Sequence, residues 1–455
     1  MENHFDVCVI GAGLAGSEAA WQLAERGHKV LLWEMRPTNT TPAHQTGLAA
    51  EMVCSNSLKS DDPISATGIL KAEMETLGSM ILASARQTRV PAGRSLAVDR
   101  HLFAKTITDL LQSHSNIEWQ TTMATEPPKN IPAIIASGPL TAEPLADWIS
   151  STFNQKSLFF YDAIAPIVER ESIDLSIAFP ASRYDKGEPD FLNCPLDKCQ
   201  YEHLVTSILE APKAPLRDFE TNFFEACLPI EEMAERGMET LRFGPMKPVG
   251  LTDPRTGRWP YAAVQLRQDT IAGDLFNMVG FQTRITWTAQ AEIFRQIPGL
   301  EFAVFSRFGS IHRNTYISAP RLLCATLATK ARGDIFFAGQ LSGVEGYLES
   351  AASGLATAIA MDRYLRKLPP MEFPRQTMIG SLLHYLVSSN PDNFSPINAM
   401  IGILPDLPED TIDIKAIKKA GGPKSLKEAK RTALHGIAIR AMKQFALNCN
   451  KSASI

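Results

Sequence analysis

An α/β fold is predicted for this chain of 455 residues: a helix-flanked sheet assembled from two separated segments, with an inserted α+β domain and a helical C-terminal region. Three observations predict it. The chain opens on an apolar strand, a glycine-rich turn, a helix and a second strand. A similar strand, glycine turn and small-residue helix recur after residue 334. Between them the pattern changes to short strands and proline-punctuated turns. A chain this long exceeds one ordinary core, so two domains are expected.

Phe5-Asp6-Val7-Cys8-Val9-Ile10 reads as the first strand and leads at once into Gly11-Ala12-Gly13-Leu14-Ala15-Gly16. From Ser17 to Arg26 small and apolar residues recur at helical spacing, Gly27 ends the helix, and Lys29 to Trp33 forms the second strand. In this setting the Gly-x-Gly-x-x-Gly spacing is a dinucleotide signature. Gly11 permits the tight turn, Gly13 lets a pyrophosphate approach the backbone, and Gly16 lets the helix pack on the sheet. The helix start, with its free N–H groups and positive dipole end, faces the phosphates. Glu34 closes the second strand, where a carboxylate suits a ribose diol and disfavours a 2′-phosphate, so NADP is not expected in this pocket.

Ile131 to Ser137 reads as a strand ending at Gly138-Pro139, and Thr141 to Ser150 as a helix. The inserted domain is expected over 151–317, with a helix from Asp197 to Leu209. The dinucleotide-binding domain then comprises 1–150 and 318–455. Its second unit runs from the strand Asp334–Ala338 through Gly339, Gln340, Gly343, Gly346 and Glu349 into the helix Ser350–Ala356. Large flavoproteins close over the isoalloxazine with such a late strand and glycine turn, whose helix dipole favours negative charge on the reduced ring. The expected cofactor is therefore FAD, in a discontinuous Rossmann-type FAD-binding domain. Gly11, Ala12, Gly13, Leu14, Ala15, Gly16, Glu34, Gly339, Gln340 and Gly346 are its candidate contacts. Pro369 to Pro374 reads as a linker into the helical C-terminal region.

Hydrophobic residues at 45% and charged residues at 21% describe an ordinary globular protein. The first residues carry no export signal, and no stretch reaches the ~18–20 apolar residues of a membrane span. A soluble, cytoplasmic protein with no membrane partner is expected. Seven irregularly spaced cysteines argue for a reducing compartment rather than a disulfide framework. The formal net charge is −4, yet ten bases between Lys415 and Lys451 face a single acid, Glu428. Such a tail reads equally as a phosphate-binding footprint or as a solvated amphipathic helix.

Two cysteines sit in settings that bear on chemistry. Cys54 lies in Met52-Val53-Cys54-Ser55-Asn56-Ser57-Leu58-Lys59, with a lysine nearby. Cys227 precedes a helix begun by Glu231 and Glu232. A thiol needs an accessible, electropositive setting to act as thiolate near neutral pH, and a buried structural role is the plain alternative for each. Cys8 and Cys324, among apolar residues, read as core. Cys194 and Cys199 lack a second pair at finger spacing, so no metal is assigned. Arg267, Arg307, His312 and Arg313 are candidates for a groove that grips phosphate or carboxylate, with surface ion pairing as the alternative.

Several long strings carry a family resemblance. They include Ala50 to Ser60, Val90 to Arg100, Leu241 to Leu251, Val264 to Gln268, Val279 to Thr283 and Gly339 to Ala358. With the N-terminal glycine motif they resemble the flavin-dependent methylenetetrahydrofolate–tRNA (uracil-5-)-methyltransferases, from about Asp6 to about Ala360. Arg94 departs from that pattern, which has a small residue there. The resemblance implies C5-methylation of a T-loop uridine in tRNA, with methylenetetrahydrofolate as carbon donor, reduced FAD as reductant and NADPH or NADH restoring the flavin. It points to Cys227 as the thiol acting on the uracil and to Cys54 as a second catalytic thiol. The chemistry is coherent: a thiolate added at C6 makes C5 nucleophilic, and a methylene carbon needs two electrons to become methyl. The same chemistry on ribosomal RNA and a non-methylating flavin oxidoreductase are the alternatives.

Overall fold

The computed structural model describes residues 4–41, 43–155, 158–185, 188–214, 228–408 and 411–452. Among these residues five parallel strands form one sheet in the spatial order Ile335–Phe337, Ala133–Ile135, Val7–Ile10, Val30–Glu34, Ile117–Thr121. The central strands are apolar along their length because both faces are covered: Val7, Cys8, Val9, Val30 and Leu32 have no exposed surface. The late strand lies beside Ala133–Ile135, with Phe336 opposite Ile134. That pairing ties the two glycine units, far apart in sequence, into one sheet.

Helix Leu14–Glu25 follows the first glycine turn and helix Tyr347–Leu365 the second. Each starts three residues earlier than its sequence reading, because the glycines Gly13 and Gly346 are themselves the cap positions. The two helices pack on each other so closely that a Cβ at Gly354 would lie 2.1 Å from the carbonyl oxygen of Ala15. A small antiparallel sheet, Ser57–Ser60, Ser95–Val98 and Arg89–Val90, sits next in the chain. Its first strand continues the segment that carries Cys54.

A second sheet, antiparallel throughout, has the order Phe179–Pro180, Phe191–Leu196, Ala262–Gln268, Leu275–Met278, Ile167–Glu169, Phe305–Arg307. Helix Lys198–Glu210 covers it, burying Tyr201, Leu204, Val205 and Ile208 in a core separate from that of the parallel sheet. Asp197 starts this helix with a reciprocal cap: its carboxylate accepts from Gln200 N–H at 2.8 Å, and the Gln200 side chain accepts from Asp197 N–H at 2.9 Å. Such caps stabilise by ~1 kcal/mol. A two-stranded ribbon, Leu158–Ile164 against Ser310–Tyr316, carries the chain in and out of this region.

The C-terminal region is helical over Met378–Ser388 and Ile414–Ser452, the latter broken at Gly422, whose φ of 70° no α-helix contains. Ala438, Met442 and Phe445 recur near helical spacing and are buried, and the Phe445 ring lies 4.2 Å from that of Phe373. Lys424, Lys427, Lys430, Arg440 and Lys443 are exposed. Among the described residues no helix is long and apolar enough to cross a membrane.

Candidate functional site

The two glycine turns open on one cavity of about 390 Å³. Gly11 has φ +99°, and a Cβ there would lie 2.7 Å from the carbonyl oxygen of Ala136, so both backbone and space require glycine. At Gly13 a Cβ would meet nothing within 4 Å among the described residues. Because Gly13 is the N-cap and supplies no side chain, the first N–H groups of the helix are left toward this space. Gly16 serves packing: a Cβ there would fall 1.8 Å from the Gly11 oxygen. Gly11, Gly13, Leu14 and Ala15 line the cavity; Ala12 and Gly16 shape the turn behind it.

Glu34 stands at the end of its strand and lines the same space. One carboxylate oxygen accepts from Ala12 N–H at 2.8 Å. The other accepts from the Arg36 backbone and guanidinium at 3.0 and 2.9 Å. Burial pushes its pKa up, but the Arg36 hydrogen bonds and charge, with Ala12 N–H, hold it below the usual carboxylate range. Arg36 also reaches Glu51 at 3.1 Å, so one cation is shared between two acids. His44 lines the cavity beside them; burial first, then the Arg36 charge, lower its pKa to about 4, so it is neutral at pH 7.

Gly339, Gln340 and Gly346 form the opposite wall. Gly339 N–H donates to Ser353 Oγ at 2.8 Å, and the Gln340 amide donates to Glu345 at 2.5 Å. Gly346, at φ +111°, caps helix Tyr347–Leu365 without a side-chain bond, so a second helix N-terminus faces the cavity. Behind it lies Glu349, fully buried. Its Oε1 accepts from Lys59 Nζ at 2.8 Å and from Ala399 N–H at 2.9 Å, while Oε2 has no partner among the described residues.

Cys54 lines the cavity between these walls, and its N–H donates to the Tyr347 hydroxyl oxygen at 2.6 Å. The segment around it is clasped by side chains from far along the chain. Arg267 reaches from the second sheet to Asn56 Oδ1 at 3.0 Å and Ser55 Oγ at 2.7 Å. Burial pulls the pKa of this guanidinium down to about 10 against the opposing pull of Asp269. Arg100 donates to Met52 O at 2.9 Å and grips Asp269 through two bonds of 2.8 and 2.7 Å. Arg307 donates to Ala43 O at 3.1 Å.

Of the sequence-predicted groups, the structure brings together both glycine turns, Glu34, Cys54 and Arg267. Cys227 lies outside the described residues, as do the side chains of His312 and Arg313. Lys59, read as the cation beside Cys54, instead gives its ammonium to Glu349. Cys324 is exposed rather than core: it follows helix Ala319–Leu322 in a turn where its neighbour Leu323 takes the buried position. Arg94 is 74% exposed and pairs with Asp62, away from the cavity lining. Sequence reasoning missed Tyr347, Arg100 and Asp269. Tyr347, directly after Gly346, carried a local signal; Arg100 and Asp269, 169 residues apart, carried none.

The chain matches the family described as Glucose inhibited division protein A over residues 6–369. It is 52% identical over 411 residues to an Anoxybacillus flavithermus protein named methylenetetrahydrofolate–tRNA-(uracil-5-)-methyltransferase TrmFO, covering 90% of this chain and 95% of that one. A Symbiobacterium thermophilum protein of the same name is 52% identical over 425 residues, covering 92% and 95%. Among solved structures, Aquifex aeolicus GidA superimposes with a TM-score of 0.68 over 98% of this chain and 74% of that one, at 16% identity, a likeness of fold. On these matches the chain belongs to the glucose inhibited division protein A family and, within it, to the methylenetetrahydrofolate–tRNA-(uracil-5-)-methyltransferases.

Proposed function

We propose that this protein methylates C5 of a tRNA uridine, in the T-loop, with methylenetetrahydrofolate as carbon donor, FAD as the redox cofactor and NADPH or NADH as the source of electrons. The observation that supports it most is a single cavity in which two uncapped helix N-termini, a strand-end carboxylate and Cys54 converge, in a chain half identical to its named relatives across nine-tenths of its length. On this reading 1–150 and 318–455 form the FAD-binding unit, 151–317 the inserted unit, and the protein works in the cytoplasm.

The residues present fit FAD. The open face at Gly13 and the N–H groups after it suit a pyrophosphate. Glu34 keeps lone pairs beyond its bonds to Ala12 and Arg36 for a ribose diol, and is held ionised to accept them. Gly339, Gln340 and Gly346 present backbone and the positive end of a helix to the ring. FAD, when bound, supplies the two electrons that take a methylene carbon to a methyl group. Cys227 adds its thiolate to uracil C6 and leaves after C5 has gained the carbon and lost its proton. Cys54, fixed by Tyr347 within the cavity, is the second thiol and acts in proton transfer.

The test is methyl transfer by the purified, FAD-loaded protein, given methylenetetrahydrofolate, NADPH and an unmodified tRNA transcript, with ribosomal RNA in parallel. We expect 5-methyluridine in the tRNA T-loop; product in ribosomal RNA alone overturns the substrate, and no product in either overturns the reaction. Cys227→Ala is expected to keep FAD and lose methyl transfer. Wild-type turnover by that variant would remove Cys227 from the mechanism.

A further inference from the structure

The edge strand Phe305–Arg307 of the second sheet sends successive residues to different places. Arg307 is half-buried, and its guanidinium donates to Ala43 O at 3.1 Å, next to His44 and Thr41 of the cavity wall. Phe308 turns the other way. Its ring stacks on Phe305 at 5.2 Å between centroids and 24° between planes, and on Trp287 at 6.3 Å and 17°. Trp287 is 63% exposed. It is nevertheless fixed in orientation, because its Nε1–H donates at 3.2 Å to Gly309 O, an oxygen that Gln290 also holds at 3.0 Å. The Arg295 guanidinium lies 6.0 Å from the Phe305 ring centre and donates to the Ala303 carbonyl. Among the described residues neither Arg295 nor Arg307 has a carboxylate partner.

A flat indole held rigid in water does nothing for the core. A ladder of stacked rings with the Arg295 guanidinium at its side, and that of Arg307 between it and the cavity, has the composition that takes up unstacked nucleobases and their phosphates. We propose that Trp287, Phe308 and Phe305 form a stacking platform for an unpaired RNA base flanking the uridine that enters the cavity. This rests on the RNA-methylating reading above. The ladder and the cavity are joined through adjacent residues, Arg307 and Phe308, so a short loop of RNA spans both. Stacking is indifferent to base identity, so the platform selects an unpaired neighbour rather than a sequence.

The experiment compares wild type with Trp287→Leu and Trp287→Phe as FAD-loaded full chains, with FAD content and thermal midpoint checking the fold. Binding of a fluorescein-labelled T-arm hairpin is read by anisotropy, and methylation of an unmodified tRNA transcript by mass spectrometry. The leucine variant is expected to raise Kd and KM on the order of tenfold, the effect of losing one stacked base, and to shift KM rather than kcat. The salt slope of binding stays as in wild type, because every cation that neutralises a phosphate is kept. The phenylalanine variant recovers most of the affinity. A leucine variant with wild-type Kd and KM overturns the platform and leaves the methylation reading standing. Wild type that methylates no RNA overturns that reading itself. A change in mass by light scattering at unaltered Kd assigns the ladder to an interface between copies and overturns the platform as well.

Discussion

Glu73 is a fully buried carboxyl whose two oxygens accept from Met378 N–H at 2.7 Å and Ile379 N–H at 2.9 Å, at the start of helix Met378–Ser388. Glu18 does the same at helix Met80–Gln87, accepting from Ile81 N–H at 2.9 Å. In both cases a side chain of one helix caps another that is distant in the chain. Burial pushes the Glu73 pKa up to about 8 against the lowering by those two N–H groups. The folded state therefore keeps a proton that the unfolded chain releases above its ordinary carboxylate pKa. Stability from this group is full below about pH 4 and is lost as pH rises through about 8. Wild type is expected to lose thermal midpoint relative to Glu73→Gln between about pH 5 and pH 9. A constant difference between the two across that range would show that Glu73 does not titrate with folding.

The C-terminal helix shows how an element can satisfy two sequence readings with its two faces. Its apolar residues Ala438, Met442 and Phe445 dock on the body, so removing the helix would strip a buried ring from Phe373, a loss of ~3–5 kcal/mol for Phe445→Ala alone. Truncation is consequently a poor test of RNA binding. Substituting Lys424, Lys427 and Lys430 by alanine keeps the docked face and removes only exposed charge. If this face meets the tRNA backbone, the variant binds more weakly and its log–log salt slope flattens by ~0.9 for each phosphate no longer neutralised; an unaltered slope would leave the basic face as solvated surface. Glycine turns, apolar strands and the helix after Asp197 were legible in the sequence because each is decided within a few residues. Which cation serves which acid was not: Lys59 is five residues from Cys54 but pairs with Glu349, 290 residues on. The exposed side of Cys324 was hidden for the same reason, since an apolar neighbourhood in sequence does not say which way a turn faces.

For the whole molecule, the informative feature is the clasp between two sheets with separate cores. Arg100 begins a helix beside the parallel sheet, Asp269 follows strand Ala262–Gln268 of the antiparallel one, and their two-bond pair is nearly sealed from water, Asp269 being 1% exposed. Arg100 also holds Met52 O, and Arg267 holds Ser55 and Asn56. The Cys54 segment is therefore suspended between the sheets and takes its position from both. The glycine turns and Glu34 stand at the ends of strands of the parallel sheet, and neither Arg100 nor Asp269 bonds them. Asp269→Asn should separate the two dependences. It leaves the Arg100 charge buried without its acid, which costs ~3–5 kcal/mol and frees the segment that positions Cys54. The expected variant retains FAD near the wild-type ratio, unfolds at lower urea, and transfers methyl groups at least tenfold more slowly. Loss of FAD in step with activity would instead mean that the clasp holds the cofactor site together. Wild-type transfer at lowered stability would mean that Cys54 is held by Tyr347 and Arg267 without it.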